Sequence, residues 1–156
     1  MLIVETGQGS QTANSYVSVS DFKTWADARG LTYGTDEVVE QQILRAMDFI
    51  EAQSFVGLKH TEEQALQWPR DRVIIDNYSI ETNEIPKQVK LSVYEAVKIE
   101  IDGDSKMTAA DRQVTSEKVG DIAITYKDNA GMKRETPALT FALRKIINPM
   151  GLVSRA

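Results

Sequence analysis

Cysteine is absent from this chain, which removes disulfide staples, thiolate nucleophiles and thiolate metal ligands together. Histidine occurs once. His60 has no second imidazole or thiolate to join it, so a zinc-type ligand set cannot be assembled around it, and it reads as a surface side chain. No apolar run approaches the roughly 18 residues of a membrane span. The first residues carry no basic segment, so no signal peptide is expected. Positive charge is in deficit. A formal net charge of −5 sets the whole molecule against nucleic-acid phosphate rather than toward it. Repeats, linkers and low-complexity stretches are missing as well. What remains is a 156-residue chain, 42% hydrophobic and 26% charged. It reads as one domain, residues 1–156, able to bury roughly 68–70% of its unfolded surface without staples.

The hydrophobic pattern is mainly helical. Ser20 is placed to cap a short helix from Asp21, with Phe22, Trp25 and Ala26 on one face and Gly30 as its stop. Thr35-Asp36-Glu37 starts a longer helix whose stripe is Val39, Ile43, Ala46, Met47 and Ile50. Thr61 and Gln64 have capping-box spacing, which predicts a short helix ending at Trp68. Pro86 opens a third long helix as its first residue, striped by Val89, Val93, Ala96 and Val97. Leu91, Ile99 and Ile101 lie off that stripe. A second apolar side needs a second cover, so these three are read as a subunit interface. Thr136-Pro137 starts a last helix carrying Leu139, Leu143, Ile146 and Ile147, stopped by Asn148-Pro149.

Strand signals are short. Leu2-Ile3-Val4 reads as a strand ending in the Gly7 loop. Val73-Ile74-Ile75 reads as extended, with a turn at Asp76-Asn77. Residues 115–119 and 122–126 read as a β-hairpin about Gly120-Asp121, with a further strand at 132–135. Residues 102–111 read as a mobile loop. The fold class is α+β: a mainly helical bundle of three longer helices and shorter ones, with a small antiparallel hairpin or meander.

Several motifs invite chemistry and fail its requirements. Gly7-Gln8-Gly9-Ser10-Gln11-Thr12 follows an extended segment, but its third glycine is replaced by Thr12 and no helix or βαβ unit follows, so it is a loop and not a phosphate cradle. Asp102-Gly103-Asp104 begins like a calcium loop, then puts Lys106 and Met107 where an oxygen ligand and a glycine are required. Glu62-Glu63 and Asp36-Glu37 sit at helix starts, where the helix dipole explains them without acid–base catalysis. No nucleophile elbow is present. The chain is read as no enzyme, with no catalytic residue, cofactor or metal.

The densest stretch is Gln64-Ala65-Leu66-Gln67-Trp68-Pro69-Arg70-Asp71-Arg72-Val73. Pro69 lacks an N–H and drives Trp68 out of the α region. Trp68, Pro69 and Arg70 are read as a structural anchor: the indole is buried with its N–H satisfied, and the guanidiniums of Arg70 and Arg72 lie in solvent. The rival reading makes Trp68 with Arg70 and Arg72 a base-stacking, phosphate-binding patch.

The Ala-Leu-x-Trp-Pro-Arg run resembles a family of small phage proteins labelled DnaT-like single-stranded-DNA-binding. Those proteins in turn look like the head–tail adaptor, or head-completion, proteins of tailed phages. The similarity continues in order along the chain: Ile3-Val4-Glu5-Thr6-Gly7, Ala13-Asn14-Ser15-Tyr16-Val17-Ser18-Val19, Arg45-Ala46-Met47-Asp48-Phe49-Ile50-Glu51, Ile85-Pro86, and Lys118-Val119-Gly120-Asp121-Ile122 with Tyr126. The resemblance implies a structural virion protein, made in the bacterial cytoplasm and residing in the neck between capsid and tail. It would form a ring of about twelve copies on the portal. It would also meet a downstream neck or tail-completion protein and let genomic double-stranded DNA pass without specific binding. The label itself implies a replication accessory that binds single-stranded DNA. The basic, partly apolar C-terminal end is read as the portal-docking part: Arg144 and Lys145, then Met150, Leu152, Val153 and Arg155 in a tail from about 148 to 156.

Overall fold

A computed structural model describes residues 1–102, 114–116, 125–126 and 137–148. The fold is α+β and mainly helical. The described residues form four helices, α1 (Val19–Asp27), α2 (Asp36–Glu51), α3 (Lys87–Ile101) and α4 (Pro137–Leu143), with antiparallel pairs of very short strands between α2 and α3 and between α3 and α4. The pairs are β1 (Leu58–Lys59) with β2 (Arg70–Asp71), β3 (Ile74–Ile75) with β4 (Tyr78–Ser79), and β5 (Val114–Ser116) with β6 (Thr125–Tyr126).

α1 packs on α2 and, through Trp25 stacked on Tyr94 at 5.3 Å, on α3; α2 packs on α3, and α3 on α4. This order corrects one expectation. α3 is apolar on more than one side because it lies between α2 and α4, so its second face is covered within the chain. Ile99 is 6% exposed and belongs to the core, while Leu91 and Ile101 are half-buried against it. The proposed interface of Leu91, Ile99 and Ile101 therefore fails at Ile99. The α2 stripe behaves as its periodicity predicts, with Val39, Ile43, Ala46, Met47 and Ile50 all buried.

Helix starts differ from the reading in detail. Ser18, not Ser20, caps α1, accepting the Asp21 N–H at 3.0 Å while the Asp21 carboxylate accepts the Ser18 N–H. The reciprocal Ser-x-x-Asp pair satisfies two otherwise orphaned donors, which moves the start two residues upstream. Pro86 is the N-cap of α3, with Lys87 its first helical residue. No helix forms over residues 61–68. The Gln64 side chain accepts the Thr61 N–H at 2.9 Å, as in a capping box, but its amide donates to the Leu66 and Pro69 carbonyls at 2.8 and 3.1 Å. Those local bonds hold a compact loop in place of a helix. α4 stops at Leu143; Ile146 is buried in the turn beyond it, and Ile147 bridges to Phe55.

Leu2-Ile3-Val4 forms one bridge, Val4 to Ser15, and no strand. The loop after it is held from within. The buried Glu5 carboxylate accepts the N–H groups of Gly7, Gln8, Gly9 and Ser10 at 2.7, 2.8, 3.2 and 2.7 Å. A turn whose donors converge in this way is an anion nest, and here the anion is the chain's own. Gly7 has φ +100°, and a Cβ there would fall 1.9 Å from the Asn83 carbonyl oxygen, so the close approach admits glycine alone. The expected Asp76-Asn77 turn is present. Both residues have positive φ, 53° and 67°, as a two-residue hairpin turn between β3 and β4 requires. β5 and β6 pair antiparallel where the strands of the later hairpin are expected. Its Gly120-Asp121 turn, the strand at 132–135, the loop beyond Asp102 and the tail from Pro149 lie outside the described residues.

Candidate functional site

The Trp68-Pro69-Arg70 anchor is built as a brace between segments far apart in sequence. Trp68 and Pro69 are joined by a cis peptide bond, and the indole of Trp68 is fully buried, edge-on to Phe55 at 5.9 Å. Its Nε1–H, expected to be satisfied, has no hydrogen-bond partner. Its backbone N–H instead donates to the Tyr16 hydroxyl at 3.0 Å. That hydroxyl donates onward to the Glu51 carboxylate at the end of α2, whose other oxygen accepts the Gln67 N–H at 2.8 Å. The N-terminal segment, α2 and the Trp68 strap are thus tied at one point.

Arg70 corrects the expectation of a solvated guanidinium. It is 8% exposed. Nε donates to the Val56 carbonyl at 2.7 Å, and Nη2 to those of Gly57 and Phe55 at 2.8 and 3.4 Å. Nη1 donates to the carbonyl and side-chain oxygens of Gln67 at 3.2 and 2.9 Å. A planar fork of donors suits carbonyls presented by two strands of loop. Arg72 remains exposed, with positive φ. Neither Trp68 nor Arg70 is available to a base or a phosphate.

Burial dominates the titration of this network. It pushes the Glu51 carboxyl above the usual carboxylate range, against the pull of its hydrogen bonds from Tyr16 and Gln67. It raises the Tyr16 phenol further, with Glu51 adding to the effect, so Tyr16 stays a donor. A carboxyl whose folded pKa exceeds its unfolded one contributes stability that is full below the unfolded pKa and lost as pH rises through the folded pKa. Wild-type stability should therefore fall across that window. Glu51→Gln should flatten this part of the profile, as measured by urea midpoints at stepped pH; an unchanged slope would remove Glu51 as its cause.

The exposed features lie elsewhere. On the β3–β4 hairpin Ile74 and Tyr78 are 67% and 75% exposed, and on α4 Phe141 is 56% exposed. Arg144 lies over the Phe141 ring at 5.2 Å, and Lys145 pairs with Asp76 of the hairpin turn at 2.7 Å. A cleft of about 590 Å³ lies between α1 and the N-terminal segment, lined by Leu2, Val4, Val19 and Tyr33 with Lys23, Asp27, Asp36 and Glu40 among the polar side chains. Lys23 pairs with Asp36, the N-terminal ammonium with Glu40, and the Tyr33 hydroxyl donates to Asp27 at 2.7 Å. His60 is exposed and meets Asp71 at 2.9 Å.

Of the residues singled out from sequence, Trp68, Pro69 and Arg70 come together, as do Arg144 and Lys145; Met150, Leu152, Val153 and Arg155 lie outside the described residues. Sequence reasoning missed Tyr16 and Glu51, which carry no periodic signal, and Phe141, which shares α4 with buried Leu139 and Leu143. Among the described residues no group of three or more His, Asp or Glu could hold a metal ion, and no helix is long and apolar enough to cross a membrane.

Fold and site define a small α+β protein whose most distinctive sequence run is an internal brace and whose exposed features are apolar and charged surfaces. Comparison places it further. The chain belongs to the family described as "Putative DnaT-like ssDNA binding protein", whose model matches residues 1–155. No curated protein and no solved structure matches the chain.

Proposed function

We propose that this chain is a non-enzymatic structural protein of a tailed-phage virion, an adaptor that seats on the portal as a ring and continues the DNA channel toward the neck. The observation that carries this reading is the placement of Trp68 and Arg70. The one run that offered a stacking platform beside guanidinium groups is consumed inside the fold. Large apolar side chains stand exposed at Ile74, Tyr78 and Phe141, where a protein partner would cover them. The acidic balance suits a lumen through which DNA passes without sticking. The partners would be the portal, further copies of the chain and a downstream neck protein.

The second reading, a replication accessory that binds single-stranded DNA, has the family's description directly behind it. One surface favours it: Tyr78 and Phe141 with Arg144 and Lys145, aromatic faces beside cations. Two assays separate the readings. An adaptor co-sediments with portal rings, loses that on deletion of Met150 to Ala156 without a change in melting temperature, and shows little binding of labelled single-stranded DNA. Saturable DNA binding that weakens with salt and is lost in Tyr78→Ala/Phe141→Ala, without portal binding, would establish the second reading and overturn the first.

A further inference from the structure

We propose that copies of this chain join head to tail, the α4 end of one seated in the cleft between α1 and the N-terminal segment of the next, with Phe141 in the apolar part and Arg144 against Asp27. The contact rests on the adaptor reading and supplies the ring surface that reading needs.

The cleft is formed by α1 and the N-terminal segment and the projection by α4, so the two are different surfaces of the chain. A contact between two different surfaces is heterologous, so it repeats from copy to copy and closes into a ring when the rotation permits. A single patch meeting itself would stop at a dimer.

Shape and polarity agree. Leu139, Ala142 and Leu143 of α4 are buried, yet Phe141 is 56% exposed on the opposite side. The cleft offers apolar walls in Leu2, Val4, Val19 and Tyr33 and ample room for one phenyl ring.

The charges then select the pair. Lys145 is held by Asp76, which leaves exposed Arg144 as the unpaired cation beside α4 among the described residues. In the cleft, Asp36 is met by Lys23 and Glu40 by the N-terminal ammonium. Asp27 accepts the Tyr33 hydroxyl and, among the described residues, is the cleft carboxylate without an ion pair; Lys23, one turn before it on α1, is paired with Asp36 and reaches Asp27 only through its field. An arginine fork against that carboxylate fixes orientation as well as adding attraction.

Absence of cysteine makes the test clean, because introduced thiols report on the designed contact alone. Thr24 and Thr140 are exposed, lie one turn from Asp27 and Arg144, and leave both charges in place. Under mild oxidation, a mixture of Thr24→Cys and Thr140→Cys chains should give a cross-linked heterodimer in excess of either homodimer, and the double variant a ladder. Adding Arg144→Glu to the Thr140→Cys chain should abolish the heterodimer, and adding Asp27→Arg to its Thr24→Cys partner should restore it. Homodimers and heterodimers in equal yield, or no rescue by the reversed pair, would overturn the contact. Portal co-sedimentation is read separately. Rings on the portal without the 24–140 cross-link defeat the contact and leave the adaptor reading standing. Ladders from a chain that ignores the portal do the reverse.

Discussion

Replacing Trp68 by alanine is expected to destabilise the protein by about 3–5 kcal/mol, the range for truncating a buried aromatic. The indole is fully enclosed and edge-on to Phe55, so its removal opens a cavity where the strap meets the core. Trp68→Phe separates two contributions. It also leaves space, but it removes the buried Nε1–H that finds no acceptor, so it should cost much less than alanine. Thermal and urea melts measure both. The same proteins settle the role of the side chain: single-stranded DNA affinity of the folded protein should not change. A tenfold loss of affinity in Trp68→Ala with unaltered melting would make Trp68 a stacking platform and the brace a misreading.

What could be read from sequence follows from where the partners lie. The α2 stripe was legible because its neighbours sit three and four residues apart, and periodicity records such spacing. The Asp76-Asn77 turn was legible because its backbone demands residues tolerant of positive φ. The helix expected to stop at Pro69 does not form, because Gln64 directs its amide to the Leu66 and Pro69 carbonyls and holds the segment as a loop. Arg70 could not be read as buried. Its acceptors at Phe55, Val56 and Gly57 are more than ten residues upstream, and backbone carbonyls leave no mark on a sequence. Ile99 misled for a related reason. A helix apolar on two sides announces that a second cover exists, but not whether α4 of the same chain or another copy supplies it. The candidate site was half legible: Arg144 stood out as basic on an acidic chain, whereas Phe141 and the α1 cleft depend on tertiary placement.

Arg70→Met should be the other large loss. The methionine stem can fill part of the volume, but the carbonyls of Val56, Gly57 and Gln67 lose a charged donor, at about 1–3 kcal/mol for each buried group left unsatisfied. Arg70→Lys should recover only a part, since one ammonium cannot span acceptors on both sides as the planar fork does. Urea midpoints should therefore rank wild type, lysine, methionine, with an unchanged m-value if the fold is intact. The damage should also travel. The segment that Arg70 grips is the one that holds the end of α4: the Val56 N–H donates to the Ile146 carbonyl at 3.0 Å, the Asn148 N–H to that of Ser54 at 2.8 Å, and the Asn148 side chain to that of Phe55 at 3.1 Å. Loosening 55–57 should free residues 144–148 and lower the Thr24–Thr140 cross-link in proteins that remain folded. Equal midpoints for all three side chains would mean that the carbonyls find other donors and that the guanidinium braces nothing.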